Sequence, residues 1–424
     1  MSLRIGFIST RFAGTDGVSL ESHKWAHVLK EDGHDVFWFA GKIDRDEEVS
    51  MCVPEAHFNY TENLAINKKI WGKTTRSPKT TQRIHTLAQY LKIQIDAFVR
   101  KFDIDVIVAQ NVLTIPMHVP LGIALTEYLS ENDIPTISHH HDFYWERDRF
   151  LINAIPEYLE MAFPARGDNI DHVVINQTAR EALSWRKGVS SILVPNVLDF
   201  DSPPPGIDDY NKDFREEMGI AEDELLLLQP TRIVPRKGIE HAINLVEMLN
   251  IPKCKLVISH EAGDEGTDYL HMLKDMAKAA NVDLLLIDDR VGEQRQLNSD
   301  GEKIYTLWDI YPHADFITYP SLYEGFGNAL LEAFYYKIPV LVNRYSIYTR
   351  DIEPKGFRVV TMDGILTQKK ADIVKNILSD EDYRNELVEH NFELAQKFFS
   401  YRVLRRKLRS ILANMMGDDI SISS

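Results

Sequence analysis

Short apolar runs alternate along the chain with longer stretches in which apolar residues recur every three or four positions. Residues 4–9 read as a strand, 18–31 as a helix, and Gly33-His34 as the turn into a strand at 35–39. Further strands are predicted at 106–109, 136–138, 173–176 and 192–195. A second series starts at 225–228 and continues through 255–259, 283–287, 316–319, 340–342 and 358–361, with amphipathic segments between them. Strands that alternate with helical patterns predict parallel sheets covered by helices on both faces.

The two series are joined by Val194-Pro-Asn-Val-Leu-Asp-Phe200 and the proline-rich run Asp201-Ser-Pro-Pro-Pro-Gly206, which reads as a linker. The expectation is an α/β protein of two Rossmann-like, doubly wound domains, 1–198 and 199–400, facing a central cleft. Residues 380–412 are helical by period, the part at about 401–415 is expected to pack back on the first domain, and 417–424 read as a frayed tail. Ligands of doubly wound sheets bind at the carboxyl ends of the strands.

Composition narrows the function. The 424 residues include only two cysteines, Cys52 and Cys254, too far apart for a disulfide framework or a cysteine zinc site. No apolar run reaches membrane-span length and no leader pattern is seen, so a cytoplasmic protein is expected. A net charge of −16 argues against nucleic-acid binding. Residues 1–199 carry 21 basic and 26 acidic side chains, residues 200–424 carry 27 and 38. Residues 67–83 depart from this, with Lys68, Lys69, Lys73, Arg76, Lys79 and Arg83 and no acid.

Four segments carry candidate chemistry. In the first, a strand ends at Tyr319, a loop with Gly325 and Gly327 follows, and a helix opens near Asn328. Glycines permit close backbone approach, and the free N–H groups of a helix start favour an anion such as a diphosphate. Glu324 and Glu332 would accept hydrogen bonds from sugar hydroxyls; an ordinary strand–loop–helix with surface acids has the same pattern. In the second, 228–238, Arg232 and Lys237 lie across a strand-to-helix loop and can converge on one anion. Arg236 beside them reads as solvated.

The third is the glycine-containing loop 12–21, which lacks the G-x-G-x-x-G fingerprint, so a dinucleotide cofactor is disfavoured. The fourth is 134–149, with His139, His140 and His141 ending a strand. Alternation lets only His139 and His141 share a face. Asp142 is close, but no second histidine cluster completes a metal site. Residues 143–147, with Tyr144 and Arg147, suit either an acceptor wall or aromatic packing under a loop. Asp103 and Asp105 look like a metal-binding Asp-x-Asp but sit at a turn into a strand and read as structural.

The string Tyr323-Glu-Gly-Phe-Gly-Asn-Ala-Leu-Leu-Glu-Ala-Phe334 resembles the donor-site motif of retaining glycosyltransferases of GT-B architecture, family 4, the glycosyl transferases group 1. The resemblance runs from Arg4 to about Ser400. It implies that Glu324 holds hydroxyls of the transferred sugar and Glu332 the nucleotide ribose. Gly325, Phe326, Gly327, Asn328 and Ala329 would line the sugar and phosphates. Arg232 and Lys237 would neutralise the departing diphosphate, although the family often has glycine where this chain has Thr231. Gly17 would lie in the loop that closes over the donor phosphates and acceptor, with Asp16 and Ser19 beside it. His141, six residues past Pro135, would approach the sugar's C6 hydroxyl. The base is expected near 286–292, with Val291 as the candidate contact.

The resemblance thus implies a nucleotide-sugar-dependent hexosyltransferase with an N-terminal acceptor-binding domain and a C-terminal donor-binding domain. The hexose is glucose or mannose, from UDP-glucose, GDP-mannose or ADP-glucose. No cofactor is tightly bound and no divalent metal is required, because cations and a helix start do that electrostatic work. The acceptor is expected to be a small anionic sugar or glycerate-type molecule, drawn in by Lys68 and Lys69; a solvated loop or a membrane surface are the other readings of that segment. A membrane-lipid or polysaccharide acceptor, a phosphorylase or epimerase, a silent sugar-nucleotide-binding protein, and a metallohydrolase built on the histidine run are the alternatives. No nucleic-acid partner is expected, and both a monomer and a homodimer fit.

Overall fold

A computed structural model describes residues 2–14, 16–262 and 267–417; the expected frayed tail, apart from Gly417, lies outside the described residues. The chain divides into two compact units, 1–197 with 401–424, and 198–400.

The first unit contains seven strands: β1 (Arg4–Ile8), β2 (Asp35–Ala40), β3 (Ser50–Cys52), β4 (Val106–Gln110), β5 (Thr136–His140), β6 (Ile170–Val174) and β7 (Ile192–Leu193). They form one parallel sheet in the order β3-β2-β1-β4-β5-β6-β7. Successive side chains leave a strand on opposite faces, so its apolar runs feed two cores. Phe7, Val106 and Val108 join Trp25, Val28, Leu404 and Leu408 on one face. Ile8, Ile107 and Ala109 join Leu91, Ile95, Phe98 and Leu125 on the other. The helix Tyr401–Met416 buries Leu404, Leu408, Ile411 and Leu412, a single stripe, and its Arg405 and Arg409 pair with Glu31 and Asp32 at the end of the helix Gly17–Glu31.

The second unit has β8 (Leu225–Gln229), β9 (Cys254–Ile258), β10 (Asp283–Leu286), a small antiparallel pair β11 (Gln296–Leu297) and β12 (Lys303–Ile304), then β13 (Phe316–Tyr319), β14 (Val340–Asn343) and β15 (Val360–Met362). Its main sheet is parallel, in the order β10-β9-β8-β13-β14-β15. Strand order reverses between β1 and β4 in the first sheet and between β8 and β13 in the second. Doubly wound sheets take ligands at the strands' carboxyl ends beside such reversals.

Two expectations are corrected. The strand placed at 173–176 is Ile170–Val174, because Asn176 turns away to cap the helix Gln177–Lys187, accepting from the Ala179 N–H at 2.7 Å. The run 380–412 is two helices, Glu381–Phe399 and Tyr401–Met416, broken at the extended Ser400. The short strands β3, β11 and β12 were too brief to leave a period in the sequence. Asp105 is structural as expected: its carboxylate accepts from the Arg4 N–H at 2.7 Å. Among the described residues no helix is long and apolar enough to cross a membrane.

Candidate active site

The loop 230–238 after β8 and the loop 320–327 after β13 flank the reversal in the second sheet, and they are laced together. The Leu322 N–H donates to the Arg236 carbonyl at 2.8 Å. Gly238 has φ of +59°, and a Cβ there would lie 2.6 Å from the Pro320 carbonyl oxygen, so only glycine lets the loops approach this closely. This packing delivers the Lys237 ammonium onto Oε1 of Glu324, with both side chains buried. Arg236, expected to be solvated, instead reaches Oε2 of Glu324 at 3.2 Å and the Tyr323 carbonyl at 3.3 Å.

Burial alone would raise the Glu324 pKa, but Lys237 and then Arg236 outweigh it and hold the carboxylate below its ordinary value. Burial lowers the Lys237 pKa despite the attraction of Glu324. The Lys237 ammonium also lies 5.7 Å from the centre of the Tyr319 ring. Arg232 is exposed and makes no ion pair among the described residues; its charge acts on both Lys237 and His260. His260 follows β9, bonds Ser259 through Nδ1 at 2.8 Å, and is pushed down to about 4 by burial, then by Arg232 and Lys237. Sequence reasoning missed His260, which belongs to no motif. A lone histidine two residues past a strand was its only signal.

Thr231, where the resembling family often has glycine, belongs to a buried polar chain. Gln229 donates to Thr231 at 2.7 Å and accepts from Thr318 at 2.7 Å, tying the ends of β8 and β13 together. The helix Asn328–Tyr335 starts at Gly327 with no side chain capping it. Gly327 has φ of +125°, and a Cβ would fall 2.4 Å from the Tyr345 hydroxyl, which donates to the Phe326 carbonyl at 2.8 Å. The uncapped helix start therefore opens on a fixed loop, with Gly325 and Ala329 on either side of it. One turn on, Glu332 accepts from the Tyr311 hydroxyl at 2.5 Å; burial and this carboxylate drive the tyrosine pKa well up. Val291 follows the turn Asp288–Arg290 and bridges to Tyr305.

In the first unit the carboxyl ends of β1, β4 and β5 gather the other candidates. Gln110 Oε1 lies 3.0 Å from His139 Nδ1 and 3.4 Å from His141 Nε2, while His140 turns to the other face, toward Thr114 and His172. His141 and His139 thus share a face, as alternation requires. Among the described residues no group of three or more His, Cys, Asp or Glu side chains is arranged to hold a metal ion. His141 also donates its backbone N–H to Asn111 at 3.1 Å, and burial pushes its imidazole down to about 4, against the pull of Asp142 and Asp16.

Asp16 caps the helix Gly17–Glu31, accepting from the Val18 and Ser19 N–H groups, and pairs with Arg11 at 2.9 Å. Gly17 is exposed, and a Cβ there would meet nothing within 4 Å. The protein itself leaves that space open. In 143–147 the packing reading holds for Phe143 and Trp145, which stack 4.4 Å apart, with Phe143 fully buried. Tyr144 is half-buried against the core, and Arg147 pairs with Asp142 at 2.5 Å.

The basic segment divides. Arg76 pairs with Glu157 and Arg83 with Glu62, joining elements of the unit. Lys68 and Lys69 end the helix Thr61–Ile70, and with Lys73 and Lys79 they are exposed and without ion pairs among the described residues. Trp71 is not free: it packs on Phe150 at 4.8 Å.

Two parallel-sheet α/β units define the GT-B glycosyltransferase fold. A solved structure of Anabaena HepE in complex with UDP and glucose shares it, with a TM-score of 0.62 and 13% identity over 97% of this chain and 99% of its own. Residues 211–393 match the family described as Glycosyl transferases group 1. Mannosylglucosylglycerate synthase of Petrotoga mobilis is 33% identical over 433 residues, 97% of this chain and 96% of its own length. The protein of the same name from Thermotoga maritima is 32% identical over 442 residues, 94% and 97% of the two chains. The chain belongs to the group 1 glycosyltransferases; it is an enzyme of that class, and placement in family 4 is consistent with these relatives.

Proposed function

We propose that the chain is a retaining hexosyltransferase that moves glucose or mannose from a nucleoside-diphosphate sugar to a hydroxyl of a small anionic, glycerate-type acceptor. The observation that carries this reading is the buried Lys237–Glu324 ion pair at the β8/β13 reversal, with the charge of Arg232 acting on Lys237 and the helix Asn328–Tyr335 opening four residues past Glu324. In this reading the donor's diphosphate takes the ammonium of Lys237, Arg232 and the helix N–H groups, which stabilise the charge that grows as the bond to the sugar breaks. Glu324 accepts from sugar hydroxyls and Glu332 from the ribose. Gly325, Phe326, Gly327, Asn328 and Ala329 line the sugar and phosphates, and Val291 is the proposed base contact. The neutral His141 bonds the sugar's C6 hydroxyl, and Gly17 leaves room for donor or acceptor.

The diphosphate assists removal of the acceptor's proton, and the acceptor oxygen enters on the face the diphosphate leaves, so configuration is kept. No divalent ion is assigned a role, since protein cations meet the diphosphate. The acceptor is assigned to the first unit, with Asp16, Tyr144, Arg147, Lys68 and Lys69 as contacts. The relatives' name, which joins mannosyl and glucosyl to glycerate, supports a hexose and an anionic acceptor, and the UDP and glucose of HepE support a nucleotide-sugar donor. A cytoplasmic setting accompanies this reading.

A thermal-shift panel of UDP-glucose, GDP-mannose and ADP-glucose tests it, followed by transfer to glycerate and to a glucosylated glycerate. The true donor at 100 times its dissociation constant stabilises the fold by about 2.7 kcal/mol. If none of the three shifts the melt and none yields a glycoside, the reading fails.

A further inference from the structure

Lys237 meets two anions in the proposed reaction. In the free protein its ammonium rests on Glu324 Oε1, and in the donor complex it faces the diphosphate. When the diphosphate draws that charge away, a buried carboxylate loses its main partner, and an uncompensated buried charge is costly. Among the described residues, the other cation paired with Glu324 is Arg236. The second loop brings Arg236, whose guanidinium touches Oε2 at 3.2 Å while its carbonyl accepts from the Leu322 N–H at 2.8 Å. Arg236 is thus tied by its main chain to the loop that carries Glu324, and by its side chain to the oxygen that Lys237 does not use.

Resting on the proposed donor site, we propose that Arg236 is a positioning residue, holding Glu324 ionised and aimed at the sugar while Lys237 transfers to the diphosphate. One guanidinium nitrogen, Nη1, donates both to Oε2 and to the Tyr323 carbonyl, so the carboxylate is pinned to the backbone of its own loop. Arg236 touches no reacting atom. Its effect passes through Glu324, so it governs turnover rather than affinity for the diphosphate.

The experiment compares wild type with Arg236→Gln and Arg236→Lys in three readouts: kcat, the acid limb of the pH–rate profile, and the calorimetric affinity for the free nucleoside diphosphate. For Arg236→Gln, kcat falls by about tenfold or more. Removing the cation raises the Glu324 pKa, so the acid limb moves to higher pH. Diphosphate affinity stays within about twofold of wild type, a margin of ~0.4 kcal/mol. Arg236→Lys, which keeps the charge and the fold of the loop, recovers part of the turnover and most of the acid limb. Two results overturn the proposal. One is a loss of diphosphate affinity as large as in Lys237→Ala, which makes Arg236 a diphosphate ligand. The other is an unchanged kcat and acid limb in Arg236→Gln. Glu324→Ala in the same assay separates this from the reading beneath it: full turnover there removes the donor-site assignment whatever Arg236 does.

Discussion

Lys237 and Glu324, 87 positions apart in the chain, meet as a buried ion pair between the loops that follow β8 and β13. Glycine at 238 and the short loop after Tyr319 make the meeting possible, and the pair stores in the free protein the charge arrangement that the proposed chemistry uses.

Glu324→Ala leaves Lys237 buried without its carboxylate. Breaking a buried pair from one side costs roughly 3 kcal/mol, so the variant melts earlier than wild type and recovers when a nucleoside diphosphate supplies a new anion. Turnover falls by at least ~10²-fold, because the sugar loses the group that orients it. A scan of melting temperature and kcat with and without nucleoside diphosphate checks both halves. Wild-type turnover in the folded variant removes Glu324 from the site.

Arg232→Ala and Lys237→Ala weaken the free nucleoside diphosphate, not only the sugar nucleotide. Hydrogen bonds to charged groups contribute about 1.5–3 kcal/mol, which is tenfold or more in affinity by calorimetry. If the diphosphate binds both variants as it binds wild type, the clamp is misassigned.

Replacing Lys68, Lys69 and Lys73 together with glutamine removes three exposed cations that make no ion pair among the described residues. Apparent acceptor affinity falls and its salt dependence flattens, while donor binding keeps its wild-type value. Loss of binding to anionic vesicles with unchanged acceptor kinetics would assign the segment to a membrane surface instead.

Five histidines of the first unit, His118, His139, His140, His141 and His172, have folded pKa values pushed down by burial, to about 4 for His118, His141 and His172. Unfolded, each titrates near ~6.5. The neutral folded forms therefore contribute stability that is full above about pH 6.5 and is lost as pH falls toward 4, because the unfolded chain binds the extra protons. Urea midpoints drop steadily between pH 7 and pH 5. A flat midpoint over that interval contradicts buried, neutral histidines.

Much of this was legible in one sequence. The alternation of apolar and amphipathic runs gave both sheets, since strands buried on two faces leave uninterrupted apolar stretches such as Leu225–Gln229. The strand β6 was displaced in the sequence reading because Asp171 and His172 interrupt its apolar run. The partners of the motif residues were less visible. Arg236 looked solvated because basic residues in loops usually are, and its contact with Glu324 depends on a loop 88 positions away. Tyr311 on Glu332 and Gln110 between His139 and His141 were hidden for the same reason. Pairings across the sheet depend on topology, which local spacing does not encode.

The central claim is tested most directly by following the reaction by proton NMR, with the donor chosen by the thermal-shift panel and a glycerate-type acceptor. The account predicts one new glycoside whose anomeric configuration matches that of the donor sugar, formed mole for mole with nucleoside diphosphate. A product of opposite configuration, or nucleoside diphosphate released with no glycoside formed, would contradict it.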